Sequence, residues 1–197
     1  VTYSNLSLVY NGSEQSNTSV SGLTPNMSIT YYDNRGIVPG VYNATAVVSQ
    51  ANYYDLTLNA TLTITNANIT GVEFRYKQVQ YDGNIHSLAV IGLTPDMEVT
   101  YTNHSHINAG IYEATALITR PYHNALTLYA VLRIEALEFT GITLSPKIVT
   151  YDTLAHTPDV NGLPSGATVE YLGNPVINFG TYQVTALISK PNYRTLT

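Results

Sequence analysis

A period of 70 residues constrains this chain more than any other feature, because each repeated unit must bury its own core or share one with its neighbour. Gly22-Leu23-Thr24-Pro25 returns as Gly92-Leu93-Thr94-Pro95 and as Gly162-Leu163-Pro164. Gly40-Val41-Tyr42 returns as Gly110-Ile111-Tyr112 and Gly180-Thr181-Tyr182. Tyr10-Asn11-Gly12 matches Tyr81-Asp82-Gly83 and Tyr151-Asp152-Thr153, with one residue of slippage before Tyr81. Three copies follow, expected at 1–70, 71–140 and 141–197, each a β-sandwich repeat. The third reaches only the position of Thr57 and Thr127, so it is expected to miss its last strand.

Within each copy the pattern alternates with a period of two, the mark of a half-buried strand. Tyr42, Ala44, Ala46 and Val48 share one side, against Asn43, Thr45 and Val47. Tyr112, Ala114, Ala116 and Ile118 repeat this, as do Tyr182, Val184, Ala186 and Ile188. The first set in each copy is expected to face the core. The next strand places Leu126, Leu128, Ala130, Leu132 and Ile134 inward. With 26 Thr, 18 Asn and 17 Tyr, the composition favours strands and the turns between them. The fold class predicted is all-β: tandem small Ig-like β-sandwich domains joined end to end.

Several functions are excluded or lose support at once. Eight Lys and Arg against thirteen Asp and Glu give a net charge of -5, which makes no phosphate-neutralising patch, so no nucleic-acid partner is expected. Without cysteine there is no disulfide, thiol nucleophile or Cys-based zinc site. No stretch reaches the roughly 18 apolar residues of a spanning helix. No nucleophile-elbow, phosphate-loop or dinucleotide motif occurs, and no cofactor is expected. The chain opens on Val1, which reads as a processed product or an excerpt.

The motif series Tyr-Asp-Gly, Gly-Leu-Thr-Pro, Thr-Tyr and Asn-Ala-Gly-Ile-Tyr-Glu-Ala-Thr-Ala resembles the MBG/YDG-type repeats of microbial secreted and cell-surface proteins. The second copy carries it most fully, in Tyr81-Asp82-Gly83, Val99-Thr100-Tyr101-Thr102-Asn103 and Asn108-Ala109-Gly110-Ile111-Tyr112. The first copy departs with Val38-Pro39 before Gly40, and the third with Asn178-Phe179 before Gly180. The resemblance implies a secreted or surface-anchored array used as stalk or adhesin, and no catalytic activity.

Candidate sites are few. Asn-x-Ser/Thr sequons stand at Asn5, Asn11, Asn17, Asn26, Asn43, Asn59, Asn68 and Asn103, where composition alone would place about four. Seven lie in the first copy, with Asn43 and Asn59 expected on outward strand faces and Asn11 and Asn26 in turns. N-linked glycans are therefore expected partners. Tyr32 and Tyr54 lack aromatic counterparts and are candidate ligand contacts. His86 and His156 share a position that holds Gln15 in the first copy, which reads as structural. His104 and His106 lack a third ligand nearby for zinc. Asn11, Asp82 and Asp152 read as Asx-turn residues.

The function expected is a non-enzymatic extracellular structural repeat protein. It would form a glycosylated stalk, sheath or filament, with its own neighbouring subunits or repeats as partners and head-to-tail strand donation as one mode of assembly. The alternative is an adhesin that grips a glycan or host surface protein through loops and Tyr side chains.

Overall fold

The alternation of small apolar and polar residues from Tyr42 to Val48 becomes one long strand, and its apolar side is the buried one. The computed structural model describes residues 1–173 and 175–197. Among these there is no helix, and so none that is long and apolar enough to cross a membrane. The protein is all-β and Ig-like.

The first strands are β1 (Thr2–Tyr3), β2 (Leu6–Val9), β3 (Gln15–Ser16), β4 (Val20–Ser21), β5 (Met27–Tyr32), β6 (Arg35–Gly36), β7 (Gly40–Gln50), β8 (Leu56–Thr65) and β9 (Ala67–Asn68). Next come β10 (Glu73–Phe74), β11 (Lys77–Gln80), β12 (His86–Ser87), β13 (Val90–Ile91), β14 (Glu98–Thr102), β15 (Ser105–His106), β16 (Gly110–Thr119), β17 (His123–Asn124) and β18 (Leu126–Glu135). The last are β19 (Thr143–Leu144), β20 (Val160–Asn161), β21 (Thr168–Leu172) and β22 (Thr185–Ser189). The chain divides into two compact units. One comprises Val1–Glu73, Val90–Tyr101 and Ala116–Leu128; the other comprises Phe74–Ala89, Thr102–Thr115 and Tyr129–Thr197.

In the first unit a four-stranded sheet runs β2-β8-β7-β5, and the order β11-β18-β16-β14 repeats it further along the chain. β5, β7 and β8 follow one another as strands C, F and G do in an immunoglobulin sandwich. The added β2 lies parallel to β8, with Leu6 opposite Leu62 and Leu8 opposite Ile64. The inward faces of β7 and β8 bury Ala44, Ala46, Val48, Ala60, Leu62 and Ile64, as the alternation predicts. The facing layer is made of two ribbons, β1 with β4 and β3 with β6. Tyr3 and Tyr31 meet between the layers, their ring centroids 5.9 Å apart. The Tyr31 hydroxyl donates across to the Thr18 carbonyl at 3.1 Å.

A second immunoglobulin feature sits at the start of each long strand. The Tyr42 hydroxyl donates to the Val38 carbonyl and the Tyr112 hydroxyl to the Asn108 carbonyl, each at 2.8 Å. Tyr182 does the same to Phe179 at 3.3 Å. This is the tyrosine corner, a ring folded back over the connection that leads into its own strand. It also explains Gly-x-Tyr in the second copy, whereas a Cβ on Gly40 would meet the Tyr42 ring only at an ordinary 3.8 Å. A Cβ on Gly110 would stand 2.9 Å from the Tyr112 hydroxyl. Tyr182 departs from expectation in one respect: it is 49% exposed rather than core. Residues 181–184 belong to no strand, so that ring has no place in a sheet among the described residues. The glycine of the Gly-Leu-Thr-Pro motif has its own reason. Gly92 has φ +87°, and a Cβ there would run into the carbonyl oxygen of Gly71.

Two linkers are tied down in the same manner, one in each unit. In the first, β9 lies parallel to β17, with Ala67 opposite His123 and Asn68 opposite Asn124. The Ala67 amide donates to the Tyr122 carbonyl at 3.1 Å. The ring of Tyr10 packs on Tyr122 and His123 at 5.1 and 5.8 Å. In the second, Leu137 bridges Tyr193 in parallel. The Leu137 amide donates to the Asn192 carbonyl at 2.9 Å, and the Arg194 amide donates back to the Leu137 carbonyl at 2.8 Å. Phe139 stacks on Tyr193 at 4.9 Å. Asn192 adds a side-chain anchor, its Oδ1 accepting the Ala109 amide at 2.8 Å.

Tyr112→Phe removes the corner hydrogen bond and leaves the ring in place. It is expected to lower stability by about 1 kcal/mol, read as a lower urea midpoint at unchanged slope.

Candidate functional site

The solvent face of the β5-β7-β8 sheet gathers more of the candidate residues than any other surface described. Strand register places Asn43 opposite Thr61 and Thr45 opposite Asn59, so two sequons run antiparallel to each other across one pair of strands. Thr45 Oγ1 donates to Asn59 Oδ1 at 3.1 Å. Tyr32 extends the same row, opposite Thr45 on its other side. At the edge, Asn5 Oδ1 accepts the Thr61 amide at 2.9 Å. These side chains face outward because Ala44, Ala46, Ala60 and Leu62 face inward, and a strand alternates.

An N-glycan is joined to the amide nitrogen, so the fate of each Nδ2 decides how well a sequon is prepared. Among the described residues only Oδ1 is engaged at Asn5, Asn59 and Asn11, in Asn11 by the Ser13 amide at 2.9 Å. Asn68 likewise uses only Oδ1, accepting from Asn124 Nδ2 at 2.8 Å. Asn26 and Asn43 are exposed, and their side chains make no hydrogen bond among the described residues. Asn103 donates from Nδ2 to the Glu113 carbonyl at 2.8 Å and sits at φ +56°.

Asn17 must be removed from the accessible set. It is 0% exposed. Its Nδ2 donates to the Ser4 carbonyl at 2.9 Å and to the Thr61 carbonyl at 3.0 Å, while its Oδ1 accepts the amide and hydroxyl of Ser19. Both amide hydrogens are spent inside the sandwich, and there is no room for a sugar. The repeat carried a signal of this, for the matching position is Leu88, itself buried. The Asn17–Ser19 turn also accommodates the extra residue of the first copy.

The two candidate aromatics do not form one site. Tyr32 pairs with Thr45, whereas Tyr54 lies in the turn beyond Gln50, about 17 Å further along at ~3.3 Å per residue. Tyr54 is fully exposed, and its neighbour Tyr53, which sequence reasoning did not single out, is 71% exposed.

The histidines hold turns. Asp82 Oδ1 accepts the Asn84 amide at 2.8 Å and meets His86 Nε2 at 2.9 Å. Asp152 repeats this with the Leu154 amide and His156 at 2.9 and 2.8 Å. The backbone amide is the main cause, and the histidine a lesser one, of the lowered carboxyl pKa at both aspartates. Asp96 is also lowered, first by the Thr94 hydroxyl and then by Arg120. Burial, with help from Tyr31, pushes the Tyr3 hydroxyl up. His106 stacks flat on the Tyr112 ring at 3.6 Å. Among the described residues, no group of three or more His, Asp or Glu side chains is placed to hold a metal ion.

A family model described as the MBG domain matches residues 1–68 and 140–197. The chain belongs to the MBG domain family. No curated protein sequence matches it. Among solved structures it is similar to an I-band fragment of titin with three immunoglobulin domains, at 14% identity and a TM-score of 0.28, covering 98% of this chain and 87% of that one. It is also similar to the human desmocollin-1 ectodomain, at 11% identity and a TM-score of 0.26, covering 98% and 58%. A third similar structure is a SusE-like surface-located polysaccharide-binding protein from the Bacteroides thetaiotaomicron heparin utilisation locus. There the identity is 12% and the TM-score 0.28, covering 86% and 40%.

Two outcomes are expected. Asn17→Ala takes the side-chain donor from the Thr61 carbonyl and the acceptor from the Ser19 amide, leaves the Ser4 carbonyl to the Ser19 hydroxyl alone, and is expected to cost about 3 kcal/mol in a urea titration. The lowered Asp82 and Asp152 stabilise the fold above the ordinary carboxylate pKa and lose that effect as pH falls through their folded-state values. Asp82→Asn is therefore expected to narrow the gap in urea midpoint between pH 7 and about pH 3.

Proposed function

We propose that this chain is part of an extracellular, non-enzymatic structural protein. In this reading, MBG repeats of about 70 residues are stacked through hydrogen-bonded linkers into a stalk or filament, with N-linked glycans on the sheet faces. The observation that carries the reading is the recurrence of one junction. Ala67 on Tyr122 and Leu137 on Asn192 make the same amide-to-carbonyl bond at equivalent repeat positions. A linker held by backbone bonds and ring contacts has little freedom to swing, which is what a load-bearing or spacing element requires. The sequons whose amide nitrogen is unengaged on exposed faces support secretion and a glycan coat. A strand donated beside β22 would continue the ladder that Leu196 begins on Ile188, and belongs to the same reading. The adhesin alternative draws less support, since Tyr32 and Tyr54 lie far apart along the sheet.

Two measurements test this. Small-angle X-ray scattering is expected to show an elongated, rigid particle, and Asn192→Ala to broaden its distance distribution by releasing the Ala109 anchor. A globular profile would overturn the stalk. Expressed in a host that performs N-glycosylation, the protein is expected to lose mass on deglycosylation. Peptide mapping is expected to find sugar at Asn26 and Asn43 and none at Asn17.

A further inference from the structure

The hairpin tip after β7 has the same shape as the two tips that seat linkers, and no linker among the described residues sits on it. Asn52, Tyr122 and Asn192 occupy one repeat position and have φ of 65°, 63° and 66°. At all three the next amide closes the turn: Tyr53 to Gln50, His123 to Arg120 and Tyr193 to Lys190, at 3.1, 3.2 and 3.1 Å. At the second and third tips the carbonyl of the positive-φ residue accepts a linker amide, from Ala67 or Leu137. At the third, the Arg194 amide donates to the linker in return. Among the described residues nothing meets the corresponding Asn52 carbonyl or Tyr54 amide. The ring after the turn follows suit. His123 and Tyr193 are half-buried against Tyr10 and Phe139, while Tyr53 stands exposed.

We propose that the Asn52–Tyr54 tip is a docking site for the linker strand of a further MBG repeat placed ahead of Val1 in the same polypeptide. The occupant is an extended segment in parallel register with Tyr53. Its first residue supplies an amide to the Asn52 carbonyl and a carbonyl to the Tyr54 amide. Two residues later it carries an apolar side chain, as Ile69 follows Ala67 and Phe139 follows Leu137, and this side chain covers Tyr53. The Asn52 side chain, chemically identical to Asn192, takes a backbone amide of the incoming repeat as Asn192 takes that of Ala109. Continuity selects this occupant: two copies of the interface are already built, and half of a third is preformed. The assignment rests on the stacked-repeat reading.

The test compares the 197-residue chain with one in which a copy of residues 72–141 precedes Val1, so that Gly141 of the copy joins Val1 as Gly141 joins Ile142. Amide hydrogen exchange is followed by NMR. The Tyr54 amide is expected to slow at least about tenfold in the longer chain. Leu137→Pro within the added copy is expected to abolish that slowing, because proline has no amide to give the Asn52 carbonyl. Fast exchange at Tyr54 in the longer chain, with the Ala67, Leu137 and Arg194 amides protected, would overturn the docking site and leave the stacked reading standing. Fast exchange at Ala67, Leu137 and Arg194 in a folded protein would instead overturn the stacked reading itself. Should the longer chain not fold, a copy of residues 135–141 alone ahead of Val1 is judged by the same criterion. Slowing at Tyr54 in the 197-residue chain on simply raising its concentration would point to a second copy as occupant and overturn the assignment.

Discussion

The hairpin of β7 and β8 is paired without interruption from Gly40 with Ile64 to Val48 with Leu56, and each other feature hangs from that ladder. Its inward side supplies the core residues Ala44, Ala46, Ala60 and Leu62. Its outward side carries Asn43 and Asn59 on rigid backbone. Its base is closed by the Tyr42 corner, and its tip is the surface that equivalent hairpins use to grip a linker. A shift of one residue in this register would exchange the core and solvent faces together, so the ladder sets the core and the display of sequons at once.

The core so formed is thin. Ala at three of the central inward positions lets the facing layer come close but offers little apolar area, and small domains are marginal for that reason. Polar bonds between layers make up part of the difference. Asn17 ties the Ser4 and Thr61 carbonyls together from within, and Tyr31 reaches Thr18. In the second copy Leu88 fills the Asn17 position with apolar bulk. The two solutions differ in kind. An amide with every hydrogen placed is costly to disturb, whereas a leucine tolerates repacking.

Much of this was legible in the residues. Alternation identified the inward sides of β7 and β16, because burial on one face and a period of two leave no other assignment for Ala44 or Ala114. The Asx turns at Asn11, Asp82 and Asp152 were legible because such turns are local: the accepting side chain and the donor amide lie within two residues. The failures were non-local. Asn17 reads as a sequon like its neighbours, and only the partners Ser4 and Thr61, brought from elsewhere in the chain, consume its nitrogen. Tyr32 and Tyr54 look like a pair in sequence, but the strand between them holds them apart.

The chain's own order of residues determined the period, the all-β class, the strand faces and the turns, because each depends on contacts within a few positions. Tertiary structure decided which sequons keep an available nitrogen, where the corner tyrosines fold back, and that linkers are bonded into hairpin tips. Those outcomes depend on backbone groups whose partners lie tens of residues away. A carbonyl or amide looks the same in every residue, so its partner can be known only once the strands are placed.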